Sequence, residues 1–198
     1  MSEIVSRETL QKLDQFEQLV RRWNPKINLV APASLNDIKA RHIEDSLQLS
    51  QLCCPINGRW VDLGSGGGFP GLVLAIAHVE ATTDFTLVES DSRKVAFLRT
   101  VIRELSLTNV NVENKRIEEL DPLNAAYLSA RALAPLPRLM PYLQRHLAPE
   151  GTAWLMKGRH WKEEMSDAEK EWKFKVKAHP SASQDGAAIL EISEVFHV

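Results

Sequence analysis

The sequence predicts an α/β protein built on a mostly parallel, doubly wound sheet. Three observations carry that expectation. From residue 59 onward, short β-rich runs alternate with helical stretches, the pattern of right-handed strand–helix–strand units with both sheet faces covered. A glycine-rich turn, Gly64-Ser65-Gly66-Gly67-Gly68-Phe69-Pro70-Gly71, joins the first of those strands to its helix. The last two β-rich runs have no helix between them, only Pro180–Gly186, so they should close the sheet's edge as an antiparallel hairpin. Seven strands are expected in all, preceded by N-terminal helices. We divide the chain into a helical extension, residues 1–54, packed on a core of residues 55–198, the whole being of single-domain size.

Leu10, Leu13, Phe16, Val20 and Trp23 recur at helical spacing, so 7–23 reads as an amphipathic helix that Asn24-Pro25 ends. Ser34-Leu35-Asn36-Asp37 has the look of a helix start, with Ser34 capping. That second helix should run to Leu52, and Cys54-Pro55-Ile56-Asn57-Gly58 should turn. Strands are expected at Arg59–Leu63, Phe85–Glu89, Val110–Glu113, Tyr127–Arg131, Thr152–Met156, Phe174–Ala178 and Ile189–Phe196. Helices fill 70–79, 92–105, 136–147 and 160–170.

A formal net charge of −2 excludes a broadly basic nucleic-acid coat protein. A local basic rim would still serve a nucleic-acid substrate; Arg93, Lys94, Arg99, Arg103, Arg116 and Arg138 are candidates, and a solvated helix face explains them equally well. The two cysteines, Cys53 and Cys54, are adjacent. Such neighbours rarely bridge and lack metal-site spacing, which fits a reducing cytosol. MSEIVSRETL lacks the build of a signal peptide, and the longest apolar stretch, Leu72–Val79, is too short for a bilayer. A cytoplasmic protein is expected.

The glycine turn is the strongest chemical signal. Gly66, Gly68 and Gly71 match G-x-G-x-x-G, weak alone but sharpened by standing between a strand and a helix. Glycine lets a ligand approach the backbone closely, and Pro70 suits the first turn of the helix that follows. The candidate ligands are a dinucleotide and S-adenosylmethionine, with a tight turn that binds nothing as the plain alternative, which a run so rich in glycine disfavours. Asp62, just before the glycines, separates them: a pyrophosphate wants no anion beside it, whereas the sulfonium and amino cations of S-adenosylmethionine gain from one. Glu89, ending the second strand, is placed to accept from ribose hydroxyls.

The second helix carries a stripe of Leu35, Ile38, His42, Asp45, Leu49 and Leu52. Two polar residues on a core-facing stripe are costly unless paired. The plainer reading is a His42–Asp45 hydrogen bond. The sharper one is that the stripe crosses the mouth of the cofactor site, with Arg41 and Ser46 nearby. Ligands of open α/β sheets sit beyond the carboxyl ends of the strands, which directs attention to Glu89, Asn114, Arg131, Lys157 and Gly158. Ile117-Glu118 follows the third strand where such folds contact adenine, although Glu118 could equally cap the turn. No Asp/Asn-Pro-Pro-aromatic tetrapeptide follows the fourth strand, no cysteine nucleophile occupies the motifs, and no metal constellation is visible.

These motifs resemble the bacterial small-subunit ribosomal RNA guanine-N7 methyltransferase family, RsmG or GidB, over nearly the whole chain. The matching pieces are Trp23-Asn24 with Asn28-Leu29, Arg41-His42-Ile43-Glu44-Asp45-Ser46, Asp62 to Gly71, Arg93-Lys94-Val95-Ala96-Phe97-Leu98, Arg116-Ile117-Glu118-Glu119, Ser129-Ala130-Arg131-Ala132 and Lys157-Gly158. Two places depart: Ala125-Ala126 stands where the family often has an aromatic-Asp pair, and Asp185-Gly186-Ala187-Ala188 lacks the Arg or His that often follows the hairpin glycine. The resemblance implies a class I methyltransferase fold, S-adenosyl-L-methionine as cofactor, and N7 of a guanine in 16S ribosomal RNA as acceptor. The RNA would be met within the small subunit or an assembly intermediate, by a monomer without membrane attachment. The glycine turn and the strand ends motivate cofactor contacts from Asp62, Gly64, Ser65, Gly66, Gly68, Phe69, Glu89, Ile117, Glu118 and Arg131. His42, Asp45, Arg131 and Lys157 would position the target base and a neighbouring phosphate.

Overall fold

The computed structural model describes residues 6–53, 57–78 and 82–198. Helix α1, Arg7–Ile27, is capped by Ser6, whose hydroxyl accepts from the Thr9 N–H at 3.1 Å. It buries Leu13, Phe16, Leu19 and Val20. The expectation that Asn24-Pro25 stops it is corrected: the helix runs through Pro25 to Ile27. Proline removes a single donor in the last, exposed turn. Asn28, at φ 49°, then ends the helix with its N–H on the Asn24 carbonyl, and the Asn24 side chain accepts from the Val30 N–H at 2.8 Å.

The second expected helix is also corrected. A 3₁₀ turn at Pro32–Ser34 comes first, then a π-helical segment at Lys39–Glu44, and only then α2, Asp45–Cys53. Ser34 caps nothing. Its hydroxyl donates to the Ala31 carbonyl at 2.9 Å and lies 2.9 Å from His42 Nε2. The widened π turn lets the chain pass from one packing surface to another, and such segments cluster at functional sites.

The core follows as β1 (Asn57–Leu63), α3 (Gly71–Ala77), β2 (Thr82–Val88), α4 (Ser92–Glu104), β3 (Val110–Glu113), β4 (Ala125–Arg131), α5 (Leu136–His146), β5 (Leu147–Lys157), α6 (Trp161–Ala168), β6 (Trp172–Pro180) and β7 (Ala188–His197). Of the turn expected at Cys54–Gly58, residues 54–56, like Val79, lie outside the described residues; its last two positions, Asn57 and Gly58, are corrected, since they already pair with Thr82 and Thr83 as the start of β1. The sheet order is β3-β2-β1-β4-β5-β7-β6, with β1 to β5 parallel and β7 antiparallel to both β5 and β6. This is the expected seven-stranded sheet with its closing hairpin, and strand order reverses between β1 and β4, where open α/β sheets place ligands.

Two apolar layers cover the sheet. One joins α1, α3 and α4 through Phe16, Val20, Leu72, Ile76, Phe97 and Leu98. The other joins α5 to the sheet through Leu136, Leu139, Met140 and Leu143. Phe69, from the glycine turn, belongs to the first layer.

Candidate active site

The glycine turn departs from β1 with Gly64 at φ 67°, Gly66 at 52° and Gly68 at 88°. Those left-handed conformations explain why side chains are excluded there. Ser65 pins the first bend: its N–H donates to the Val88 carbonyl at 3.0 Å and its hydroxyl to the Asp62 carbonyl at 2.9 Å. A Cβ on Gly64 would stand 2.6 Å from Leu133 Cδ1, so the turn lies directly against the segment after β4. A Cβ on Gly66 would meet only the Gly64 carbonyl, at 3.7 Å, which leaves the space above Gly66 open for a ligand.

Glu89, just beyond β2, is 8 % exposed. Its Oε2 accepts the Gly66 N–H at 2.9 Å and its Oε1 the Asp91 N–H at 2.8 Å. The N–H that a pyrophosphate would need is therefore already bound to a carboxylate. The residues present fit a nucleoside without phosphate and with cationic groups, as S-adenosylmethionine is, and do not fit a dinucleotide. Glu89 keeps further lone pairs for ribose hydroxyls.

Asp62 stands differently from the sequence-based expectation. It is 1 % exposed, so its carboxylate braces the turn from behind instead of facing a ligand, a correction to its assigned contact. Oδ1 accepts the Ser129 hydroxyl at 2.6 Å, and Oδ2 faces the Gly71 backbone, whose N–H favours the charged form without making a well-formed hydrogen bond. Burial raises its carboxyl to about 6, the Ser129 bond opposes the rise, and the nearby Glu89 charge adds to it. Ile117 opens a short 3₁₀ turn after β3 and is buried. Glu118 is exposed and accepts the Tyr142 hydroxyl from α5, which holds its carboxyl below the usual range.

Phe69 is packed between Phe16 of α1 and His42 of the π turn, with ring centroids 5.1 Å from each. Burial, with Arg131 and Arg41 nearby, pushes His42 down to about 4, so it is neutral near pH 7. The plainer reading of the stripe, a His42–Asp45 bond, does not hold: His42 meets Ser34, and Asp45 turns to other partners. Asp45 Oδ1 accepts the hydroxyls of Ser183 at 2.7 Å and Ser181 at 3.2 Å, from the β6–β7 loop. Its Oδ2 lies 3.6 Å from Arg131 Nη2.

Asp45, Arg131 and Lys157 line one open cleft of about 490 Å³, together with Leu133, Glu164 and Ser181. Arg131 Nη2 donates to the Arg41 carbonyl at 2.8 Å, whereas Nη1 is buried with no partner. Ala132, the next residue, is held at φ 49°, a strained conformation for alanine of the kind found at functional sites. Lys157 Nζ donates to the Ala134 carbonyl at 2.8 Å and pairs with Glu164 at 2.6 Å. Sequence reasoning missed Glu164, Ser181, Ser183 and Gln48. Gln48 clamps the same loop, donating to the Pro180 carbonyl at 2.7 Å and accepting the Ala182 N–H at 2.8 Å. These residues sit in stretches that read as plain helix face or turn, and only the fold brings them together. The Arg93 guanidinium of the supposed basic rim is paired with Asp91 at 2.8 Å.

A doubly wound sheet with a closing antiparallel hairpin, a glycine turn that fits an unphosphorylated nucleoside and a cleft beside it define a class I S-adenosylmethionine-dependent methyltransferase. Solved structures agree on the fold. The ribosomal protein L11 methylase of Lactobacillus delbrueckii superposes with a TM-score of 0.61 at 15 % identity, covering 78 % of each chain. A SAM-dependent methyltransferase of Aquifex aeolicus does so at 0.62 and 13 %, covering 91 % of this chain and 98 % of that one. The family model for rRNA small subunit methyltransferase G matches residues 9–189, so the chain belongs to that family, GidB. The Paracoccus denitrificans protein named ribosomal RNA small subunit methyltransferase G is 56 % identical over 98 % of both chains. Its namesake from Ruegeria sp. TM1040 is 47 % identical over 98 % of this chain and 95 % of its own.

Proposed function

We propose that this chain methylates N7 of a guanine in 16S ribosomal RNA, within the small ribosomal subunit or an assembly intermediate, in the bacterial cytoplasm. The observation that carries the reading is the pair of cations, Arg131 and Lys157, that line one cleft beside the glycine turn. The names of the relatives supply the acceptor class.

When bound, S-adenosylmethionine supplies an electrophilic methyl group on sulfur. Guanine N7 offers a lone pair and carries no proton, so no general base is required. The protein's residues accord with that. His42, lowered to about 4, packs on Phe69 and orients the turn. Arg131, fixed by the Arg41 carbonyl, presents a positive charge to a backbone phosphate or to guanine O6. Methylated guanine gains a positive charge. Asp45 and Glu164, each beside a cation, keep the cleft from repelling it. Holding N7 in line with the methyl group is the kind of positioning that can supply up to about 7–11 kcal/mol of a barrier reduction. The N7 edge of paired RNA lies in a deep, narrow groove, so the target guanine must be unpaired or drawn out.

Labelled S-adenosylmethionine, incubated with this protein and small subunits from cells lacking the enzyme, tests the proposal. Label should enter RNA at a guanine that becomes sensitive to reduction and aniline cleavage. Label confined to protein or small molecules would overturn it.

A further inference from the structure

Three fully buried side chains with polar groups lie behind the glycine turn, and the chemistry above uses none of them. Trp60 and Asp62 are two residues apart on β1 and share a face; Ser129 of β4 is the registered partner of Asp62. Their exposures are 0 %, 1 % and 0 %. The Trp60 indole Nε1–H donates to Ser129 Oγ at 2.9 Å. A serine hydroxyl has one proton, and with Trp60 occupying its acceptor side, that proton goes to Asp62 Oδ1 at 2.6 Å. Stacking of the Trp60 ring on Tyr127, with centroids 5.3 Å apart, and on Phe85, 6.1 Å apart, fixes the indole and hence the direction of the chain.

Asp62 transmits this to the turn. A Cβ on Gly71, the first residue of α3, would stand 2.8 Å from Asp62 Oδ2 and 2.9 Å from its Cβ, so the carboxylate lies against the end of the glycine turn. At the turn's start, Ser65 is bonded to the Asp62 carbonyl. One residue thus touches both ends of the bend.

We propose that Ser129 is a positioning residue for cofactor binding: its hydroxyl, oriented by Trp60, holds the Asp62 carboxylate in place and so sets the shape of the glycine turn. This rests on the turn being the cofactor cradle. Because Ser129 lies two residues before Arg131 on β4, the same chain ties the cofactor's strand to the strand that carries the cleft cation.

The test is calorimetric titration of the full chain with S-adenosylhomocysteine, which needs no RNA. Ser129→Ala should weaken binding about tenfold or more, in keeping with loss of a hydrogen bond to a charged group. Trp60→Phe keeps the stacked ring and loses the donor, so it should weaken binding by about two- to tenfold, the range for a neutral bond. Ser50→Ala removes a buried contact of α2 with His78 at 2.7 Å, away from the turn; it should lower thermal stability and leave affinity unchanged. The pH dependence separates positioning from stability. Glu89 is the charged side chain acting on Asp62, and it remains in every variant. Losing the Ser129 bond should move the low-pH midpoint of binding upward. Unchanged affinity and midpoint in Ser129→Ala would overturn the proposal, as would a loss of affinity in Ser50→Ala equal to that in Ser129→Ala. Absence of binding by the unmodified chain would instead sink the cofactor cradle itself.

Discussion

Gly66→Ala separates backbone strain from ligand exclusion within a single methyl group. Gly66 sits at φ 52°, a left-handed conformation that costs an L-residue about 1–2 kcal/mol. The added Cβ would meet nothing closer than the Gly64 carbonyl at 3.7 Å, an ordinary contact. The variant should therefore fold. For a chain of this size each kcal/mol lowers Tm by roughly 2–4 °C, so the melting point should fall by about 2–8 °C. The methyl group would project into the open space over the turn, the space assigned to the nucleoside. Gly68→Ala differs: at φ 88°, its Cβ would stand 2.5 Å from Leu72 Cδ1 and 3.2 Å from Leu72 Cβ, so stability should fall further. Differential scanning fluorimetry and S-adenosylhomocysteine titration of both variants read the two effects. Gly66→Ala should lose affinity at least about tenfold, the equivalent of roughly 1.4 kcal/mol, while retaining a cooperative melt. A Gly66→Ala protein that binds with unaltered affinity would refute the reasoning, because the nucleoside could not then lie over this turn.

Arg131→Ala should raise the KM for subunit RNA and lower turnover, measured with saturating cofactor; unchanged turnover at saturating RNA would remove Arg131 from the mechanism. Lys157→Met should destabilise the fold, because Glu164 loses its 2.6 Å partner. The loss for a fully buried pair is about 3–5 kcal/mol; with the Glu164 side chain 24 % exposed it should be smaller, and Lys157→Met with Glu164→Gln should recover part of it in urea melts. His42 binds a proton more weakly in the folded protein than in the unfolded chain, its value lowered from 6.5 to about 4. Its contribution to stability is thus complete above about pH 6.5 and is lost as pH falls towards 4. The urea midpoint of the unmodified chain should drop more steeply over that window than that of His42→Gln.

The sheet was legible because period and punctuation agreed: β-branched runs, intervening amphipathic helices and a turn-rich hairpin point to one topology. The glycine turn was legible for a local reason, since left-handed backbone demands glycine wherever it occurs. The errors fell where tertiary contacts outweigh local preference. Pro25 looked like a stop, yet a proline in the last turn removes one donor from an exposed helix end, and Asn24 and Asn28 reorganise the backbone after it. Ser34 looked like a cap, yet its hydroxyl is taken by Ala31 and His42. A π turn has no spacing signature that distinguishes it from an α-helix in one sequence. Asp62 read as a charge facing the ligand; its burial follows from the inward face of β1, which it shares with Trp60, and a strand's inward face is not marked by one residue's type. Partners far apart in the chain, such as Asp45 with Ser183, leave no local trace.

The N-terminal helices belong to the site as much as to the fold. Phe69 stands in the middle of the glycine turn and is only 7 % exposed. Its neighbours are Phe16 on one side and His42 on the other, both from the segment that precedes the sheet. Without that segment the turn would present a bare aromatic ring to water, and burying such a ring is worth about 1.5–3 kcal/mol. The turn's left-handed glycines supply no rigidity of their own, so packing on Phe69 adds to the bonds of Ser65 and Glu89 in holding their conformation. The same segment carries Asp45, whose two oxygens meet Arg131 and the β6–β7 loop. One carboxylate thereby joins the strand end that supplies the cleft's cation to the hairpin that forms its wall. A core cut free at residue 55 would retain every glycine of the cofactor turn and both cleft cations. It would have lost what keeps the first in shape and sets the distance to the second.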